Sequence, residues 1–193
     1  MYKKLKLLLG VTLSLLFTFF LIGCSDSLIL SENLQESNGE TMVLDIFEAL
    51  QDNEALPFVL TKPAKNMLLE NSGLFLKNDI NELDTYTDYT LDYRTIMKNI
   101  NLYGDRLMYI PEAYVLSIYE STIGEKTLTV MQIVGADEKD YCIYGLTSYD
   151  NIYEDDIVEC YALPLGDTSF ENVGGGTTLA VVLAGCYVNK VDY

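Results

Sequence analysis

Apolar residues repeat with two different periods along this chain, and the change of period divides it. Met42, Val43, Ile46, Phe47 and Leu50 stand three and four residues apart, the spacing that collects side chains on one side of a helix. Thr41 sits where an N-cap belongs. A second helix is expected to begin at Thr61, with Pro63 in its first turn, Gly73 just past its end, and Ala64, Met67 and Leu68 facing inward. Asn78 to Asp92 is polar with tyrosines interspersed, and a short helix or turn over Tyr93 to Ile100 leads to Tyr103-Gly104-Asp105. Residues 41–105 are too interrupted to build a large core alone. They are expected to form a small α-helical N-terminal extension that decorates the domain after it.

From Arg106 onward the period falls to two, and β-branched and aromatic residues alternate with polar ones. Five strands are predicted. The first covers about Leu107 to Thr122 and bends near Pro111-Glu112, because proline cannot donate to a ladder. Gly124-Glu125-Lys126 turns into the second, Thr127 to Val134. Asp137 to Asp140 turns into the third, Tyr141 to Thr147. An acidic connection, Asp150 to Asp156, leads to a fourth over Ile157 to Leu165. Gly166 to Gly176 is a glycine-rich link into the fifth, Thr177 to Val188. No linking stretch is long enough for a crossover helix, so the strands are expected to be antiparallel. A mainly β, five-stranded antiparallel Greek-key barrel over residues 106–193 fits this order.

The two ends carry the same four-residue signal in different company. Leu21-Ile-Gly-Cys24 follows a basic segment with Lys3, Lys4 and Lys6 and an apolar run, Leu7 to Gly23, the order of a secretory signal. It looks like a lipobox, which implies cleavage before Cys24 and lipidation of Cys24. Residues 1–23 are then a lipoprotein signal peptide, and 24–40, rich in Ser, Asn, Glu and Asp, a flexible tether. Acyl chains contribute about 0.8 kcal/mol per buried methylene, enough to anchor a soluble domain at the outer side of the cell membrane. Leu183-Ala-Gly-Cys186 has no basic segment before it. It reads as part of the closing strand, with small residues suited to a narrow interior and Gly185 marking a bend or bulge.

The formal charge is −17, and removal of residues 1–23 takes away three lysines and no acid, making −20. Nucleic-acid binding depends on Lys and Arg neutralising phosphates, so no nucleic-acid partner is expected. Acidity favours solubility and cationic partners. The chain has no histidine, which excludes Ser-His-Asp and Cys-His mechanisms and histidine metal ligation. Apart from Cys24 the cysteines are Cys142, Cys160 and Cys186, an odd number in apolar strands. They are expected to be free, buried hydrophobes.

The stretches "YVLSIYES", "TLTVMQIV", "YCIYGL", "IYEDDIVECYALPLG" and "TSFENVGGGTTLAVVLAGCYV" together resemble the OB-fold domains of secreted and lipid-anchored proteins of Firmicutes. The likeness covers roughly residues 94–191 and is one of turns. Asp155-Asp156 stand where the pattern has Asp or Gly followed by Asp. The resemblance implies an OB-fold-like barrel and carries no catalytic motif.

Candidate chemistry is correspondingly sparse. Tyr114, Tyr119, Tyr144, Tyr149, Tyr153 and Tyr161 lie on or near the predicted barrel and are the candidates for a stacking ligand face, on strands two and three and the first and fourth loops. Asp150, Glu154, Asp155 and Asp156 are a weak calcium candidate without the EF-hand spacing, and otherwise a solvated acidic turn. Gly174-Gly-Gly176 lacks the Lys-Ser/Thr and the helix of a phosphate loop. No cofactor or other metal is expected. The leading reading is a non-enzymatic binding module for a peptide, glycan or protein partner, with a carboxylate-dependent glycan hydrolase as the alternative and oligonucleotide binding behind both.

Overall fold

The computed structural model describes residues 41–51, 56–171 and 175–192. The expected signal peptide, the tether and Cys24 lie outside the described residues. Helix α1 spans Met42–Leu50 and buries Val43, Ile46, Phe47 and Leu50, as its spacing predicts. Thr41 holds the N-cap position without a side-chain cap hydrogen bond, so its hydroxyl does not serve as the expected cap. Helix α2 spans Lys62–Glu70. Thr61 caps it properly, its hydroxyl accepting from the Ala64 amide at 3.3 Å, and Ala64, Met67 and Leu68 are buried. Gly73 falls within a short 3₁₀ turn, Ser72–Phe75. Helix α3 spans Tyr93–Lys98, capped by Asp92 and burying Ile96.

Five strands follow: β1 Met108–Ile123, β2 Lys126–Gly135, β3 Asp140–Gly145, β4 Ile157–Glu171 and β5 Thr177–Lys190. They form a sheet that closes on itself in the order β1-β2-β3-β5-β4, with β4 pairing back to β1. The predicted bend in β1 is present as a register shift between Ile110 and Ala113. It lets one strand pair with β4 through its first half and β2 through its second. Gly124, at φ 59°, makes the tight β1–β2 turn.

Two expectations are corrected. The sheet is mixed, because β3 and β5 run parallel from Asp140↔Ala180 to Tyr144↔Ala184. A parallel pair needs a long return connection, and here β4 itself supplies it rather than a helix. Gly166 to Glu171 is strand, not link. Gly166 packs so closely under the Val59 carbonyl that a Cβ would lie 2.6 Å from the oxygen. Its glycine reflects that close approach instead of a turn.

Two apolar clusters result. The first fills the ring and draws on all five strands, including Met108, Val115, Met131, Ile143, Cys160, Val181 and Leu183. Leu91, Ile96 and Ile152 join it, as does Tyr149, which lies against Gly145. The second lies between the outer faces of β3, β4 and β5 and the N-terminal helices. Val43, Phe47, Phe58 and Leu68 there meet Tyr144, Leu163, Leu165, Val182 and Cys186. The extension is therefore half of a core rather than a decoration. Thr61 N–H donates to Leu165 at 3.0 Å, and the Asn78 side chain both donates to and accepts from the Val188 backbone, at 2.9 and 2.7 Å.

Candidate functional site

The six tyrosines singled out by sequence do not form one face. Tyr144 is buried on the outer side of β3, its ring stacked on Phe58 at 5.9 Å. Tyr149 is buried inside the ring against Gly145 and Gly185. Tyr114 is half-buried and donates its hydroxyl to Asp155, Tyr119 is half-buried, and Tyr153 is exposed. Tyr161 belongs to a larger aromatic group. The predicted face on β3 is thus covered by the chain's own N-terminal segment.

The acidic connection is also engaged locally. Asp150, Glu154 and Asp155 are exposed, and the Ser148 hydroxyl donates to Asp150 at 3.4 Å. Asp156 pairs with Lys190 at 2.8 Å and accepts from the Tyr153 amide at 2.9 Å. The Lys190 hydrogen bond lowers the Asp156 carboxyl below its ordinary range. No group of three or more Cys, Asp or Glu side chains among the described residues is arranged to hold a metal ion.

A different aromatic surface emerges from strand register. Tyr109 of β1 is the cross-strand partner of Tyr161 of β4, and Tyr161 is the partner of Tyr187 of β5. Residues opposite one another on adjacent strands put their side chains in contact, so three tyrosines stand in a row across three strands. Their centroids are 4.6 Å apart for Tyr109–Tyr161 and 6.2 Å for Tyr161–Tyr187. Tyr89 reaches this row from the segment before α3, edge-on to Tyr109 at 5.7 Å and to Tyr161 at 6.4 Å. Backbone hydrogen bonds from Leu107 to Tyr86 and from Asp88 to Leu107 fix that segment on the start of β1. Tyr161 lies at the base, 8% exposed, while Tyr89 stands out at 56%.

Carboxylates border the row. Glu159, two residues before Tyr161 and hence on the same side of β4, accepts from the Tyr109 hydroxyl at 2.9 Å and from the Asn189 amide at 3.3 Å. Asp84 accepts from the Tyr89 hydroxyl, which lies 3.4 Å from that of Tyr161. The hydrogen bond to Asp84 pushes titration of Tyr89 upward. Burial, then the bond to Glu159, pushes Tyr109 up to about 12. These hydroxyls therefore stay protonated donors at neutral pH. None of the ion pairs among the described residues includes Glu159 or Asp84.

Tyr89, Tyr109 and Tyr187 escape a reading by sequence. They are distant in the chain, and only the β1–β4–β5 register aligns them. The cysteines behave as expected. Cys142, Cys160 and Cys186 are free and buried, and burial raises the first two thiols to about 12 and the third further. None is a nucleophile at neutral pH. A depression of 360 Å³ beside α2, lined by Lys62, Pro63, Asn66, Met67, Glu70 and Asp105, includes none of the tyrosines. Comparisons with protein-family models, curated proteins and solved structures give no match.

Proposed function

We propose that this chain is a non-enzymatic binding module of the cell envelope, anchored through lipidated Cys24, whose ring is a barrel of the OB type. The strand order supports the fold reading: β1 is shared between β2 and β4, and β3 lies beside β5. Such barrels bind ligands on the face of strands two and three, but here Phe58 covers Tyr144 on the outer side of β3. The binding surface is instead the tyrosine row on β1, β4 and β5. The carrying observation is Tyr89, an exposed aromatic ring held edge-on against Tyr109 and Tyr161 of the register-aligned row. Exposed tyrosines with a wet hydroxyl and an apolar ring are enriched at interfaces. The partner on this reading is a protein or peptide. The exposure and local bonding of Asp150, Glu154, Asp155 and Asp156 do not favour the carboxylate-hydrolase alternative.

The test is a pull-down from envelope extract with detergent-solubilised full-length chain and its Tyr89→Ala variant. A partner captured by the parent and lost by the variant supports the reading. Identical captures by both, or none by either, overturn it. Metabolic labelling with a fatty acid, abolished by Cys24→Ser, checks the anchor.

A further inference from the structure

We infer that the tyrosine row recognises a basic segment of a peptide or protein, with an arginine side chain stacked on the Tyr89–Tyr187 surface and its guanidinium turned to Glu159. This rests on the binding-module reading and names the chemistry that the surface takes.

Three observations converge on a cation. The first is the row itself. Aromatic faces carry a negative quadrupole and attract guanidinium or ammonium groups within about 6 Å of the ring centroid. Tyr89 is exposed, and Tyr109 and Tyr187 are half-buried, so ring surface remains for a ligand after the tyrosines have packed on one another. The second is the state of the acids. Among the described residues Glu159 accepts from neutral donors, the Tyr109 hydroxyl and the Asn189 amide, and Asp84 accepts from the neutral hydroxyl of Tyr89. Both are placed by neutral groups, and neither enters an ion pair among the described residues. A carboxylate oriented in this way beside ring faces offers a cation a partner without first breaking a salt bridge. The third is the field of the whole chain. A formal charge of −17 attracts basic partners and repels polyanions over the approach.

Geometry favours arginine over lysine. Its planar guanidinium stacks on an aromatic ring while its edge donates to a carboxylate, which a compact ammonium cannot do with the same orientation. Adjacent strands lie about 4.8 Å apart, so a row across three strands spans about 10 Å. That matches about three residues of extended chain at about 3.3 Å each. The row is therefore suited to a short extended segment with basic residues on one side.

The experiment titrates a fluorescently labelled peptide with arginine at alternate positions into detergent-solubilised full-length chain, followed by anisotropy. An acidic peptide of equal length and a neutral hexasaccharide are run alongside. The basic peptide is expected to bind, to weaken about fivefold between 0.05 and 0.3 M salt, and to lose at least about tenfold in affinity with Tyr89→Ala or Glu159→Gln. Tyr89→Phe, which keeps the ring, is expected to stay within about threefold of the parent. Glu125→Gln removes an equal charge from the exposed β1–β2 turn and is expected to leave binding unchanged. Thermal unfolding of each variant establishes that it folds.

Three results would overturn the inference. One is no binding of the basic peptide. Another is equal loss with Glu125→Gln and Glu159→Gln, which would mark attraction to net charge alone. The third is Tyr89-dependent binding of the neutral sugar in place of the peptide. Tyr89-dependent capture of an envelope partner without binding of basic peptide would overturn this inference and leave the proposed function standing. Failure of both experiments would remove both.

Discussion

The Tyr149 hydroxyl occupies the space that a Cβ on Gly185 would need, with Ile143 closing the same volume from another side. Tyr149 projects into the ring from the β3–β4 connection and is fully buried there, its hydroxyl without a hydrogen-bond partner. Gly185 lies beside a register shift in which Ala162 pairs with Gly185 and Tyr161 with Tyr187. The expected bulge is therefore present, with Cys186 as the extra residue. The glycine of Leu183-Ala-Gly-Cys186 does two things at once: it sits at the irregularity and admits the tyrosine.

Gly185→Ala is expected to destabilise the protein by about 3 kcal/mol, since overpacking a dense core forces neighbours out of place. Tyr149→Phe removes only an unpartnered hydroxyl and is expected to be neutral or slightly stabilising. In the double variant the nearest Tyr149 atom to the new methyl becomes a ring carbon, 3.5 Å from it, which is ordinary contact. The Ile143 Cγ2 contact at 3.0 Å remains, so about half of the loss should be recovered, giving a coupling of about 1–2 kcal/mol. Gly145→Ala provides the contrast. Its methyl would meet Tyr149 ring carbons at 2.6 and 2.8 Å, so Tyr149→Phe should not rescue it. Denaturant unfolding of the five variants checks the pattern, and equal rescue of both glycine variants would refute it.

Local pattern revealed elements but not partnerships. The spacing of Val43, Ile46 and Phe47 identified α1 and its buried side, and alternation from Leu107 identified where strands run. The β3–β5 parallel pair was hidden because the chain between them contains a full strand instead of a crossover helix. Gly166 was misleading for a related reason. Nothing near it in sequence reveals that Val59, far upstream, will lie against it. The tyrosine row shows the same limit most clearly. Tyr161 was legible as an aromatic strand residue, whereas its alignment with Tyr109 and Tyr187 depends on two registers set by bulges and long-range pairing.

Phe58 joins the N-terminal extension to the ring by stacking on Tyr144, and both rings are buried. Phe58→Ala should cost about 3–5 kcal/mol, the range for emptying an aromatic site in a packed core. If the extension only decorated the ring, the loss would be well under 1 kcal/mol. The two outcomes separate cleanly in a thermal or urea melt. The melt should also remain a single transition, because the helices and the outer faces of β3, β4 and β5 share one cluster.

Cys142, Cys160 and Cys186 should resist alkylation in the native state. Only the thiolate reacts, and burial holds all three thiols protonated well above pH 8. At pH 8 intact-mass spectrometry is expected to show no iodoacetamide adduct on these three until denaturant is added, and then all three modified. Native modification of any one would place it at the surface and contradict the packing of its strand.

Asp156 gives a pH dependence whose direction can be worked out. Its carboxyl is lowered in the fold, first by the hydrogen bond from Lys190 and further by the Tyr153 amide. A lowered folded-state value means that ionised Asp156 stabilises the protein above the unfolded-state carboxylate value, about 3.9. That contribution is lost as pH falls through the folded value. Acid also neutralises the many other carboxylates of a chain with formal charge −17, which relieves self-repulsion and opposes the loss. The absolute melting temperature therefore mixes both effects, and the useful quantity is a difference. Asp156→Asn should melt below the parent at pH 6, and the gap should narrow as the pH falls from about 6 toward about 2.5 and Asp156 takes up its proton. The pair joins the end of β5 to the connection before β4 and is partly exposed, so raising the salt concentration at pH 6 should narrow the gap as well. A gap that is constant from pH 6 to 2.5 would assign the loss to the Tyr153 cap geometry instead of to the ion pair with Lys190.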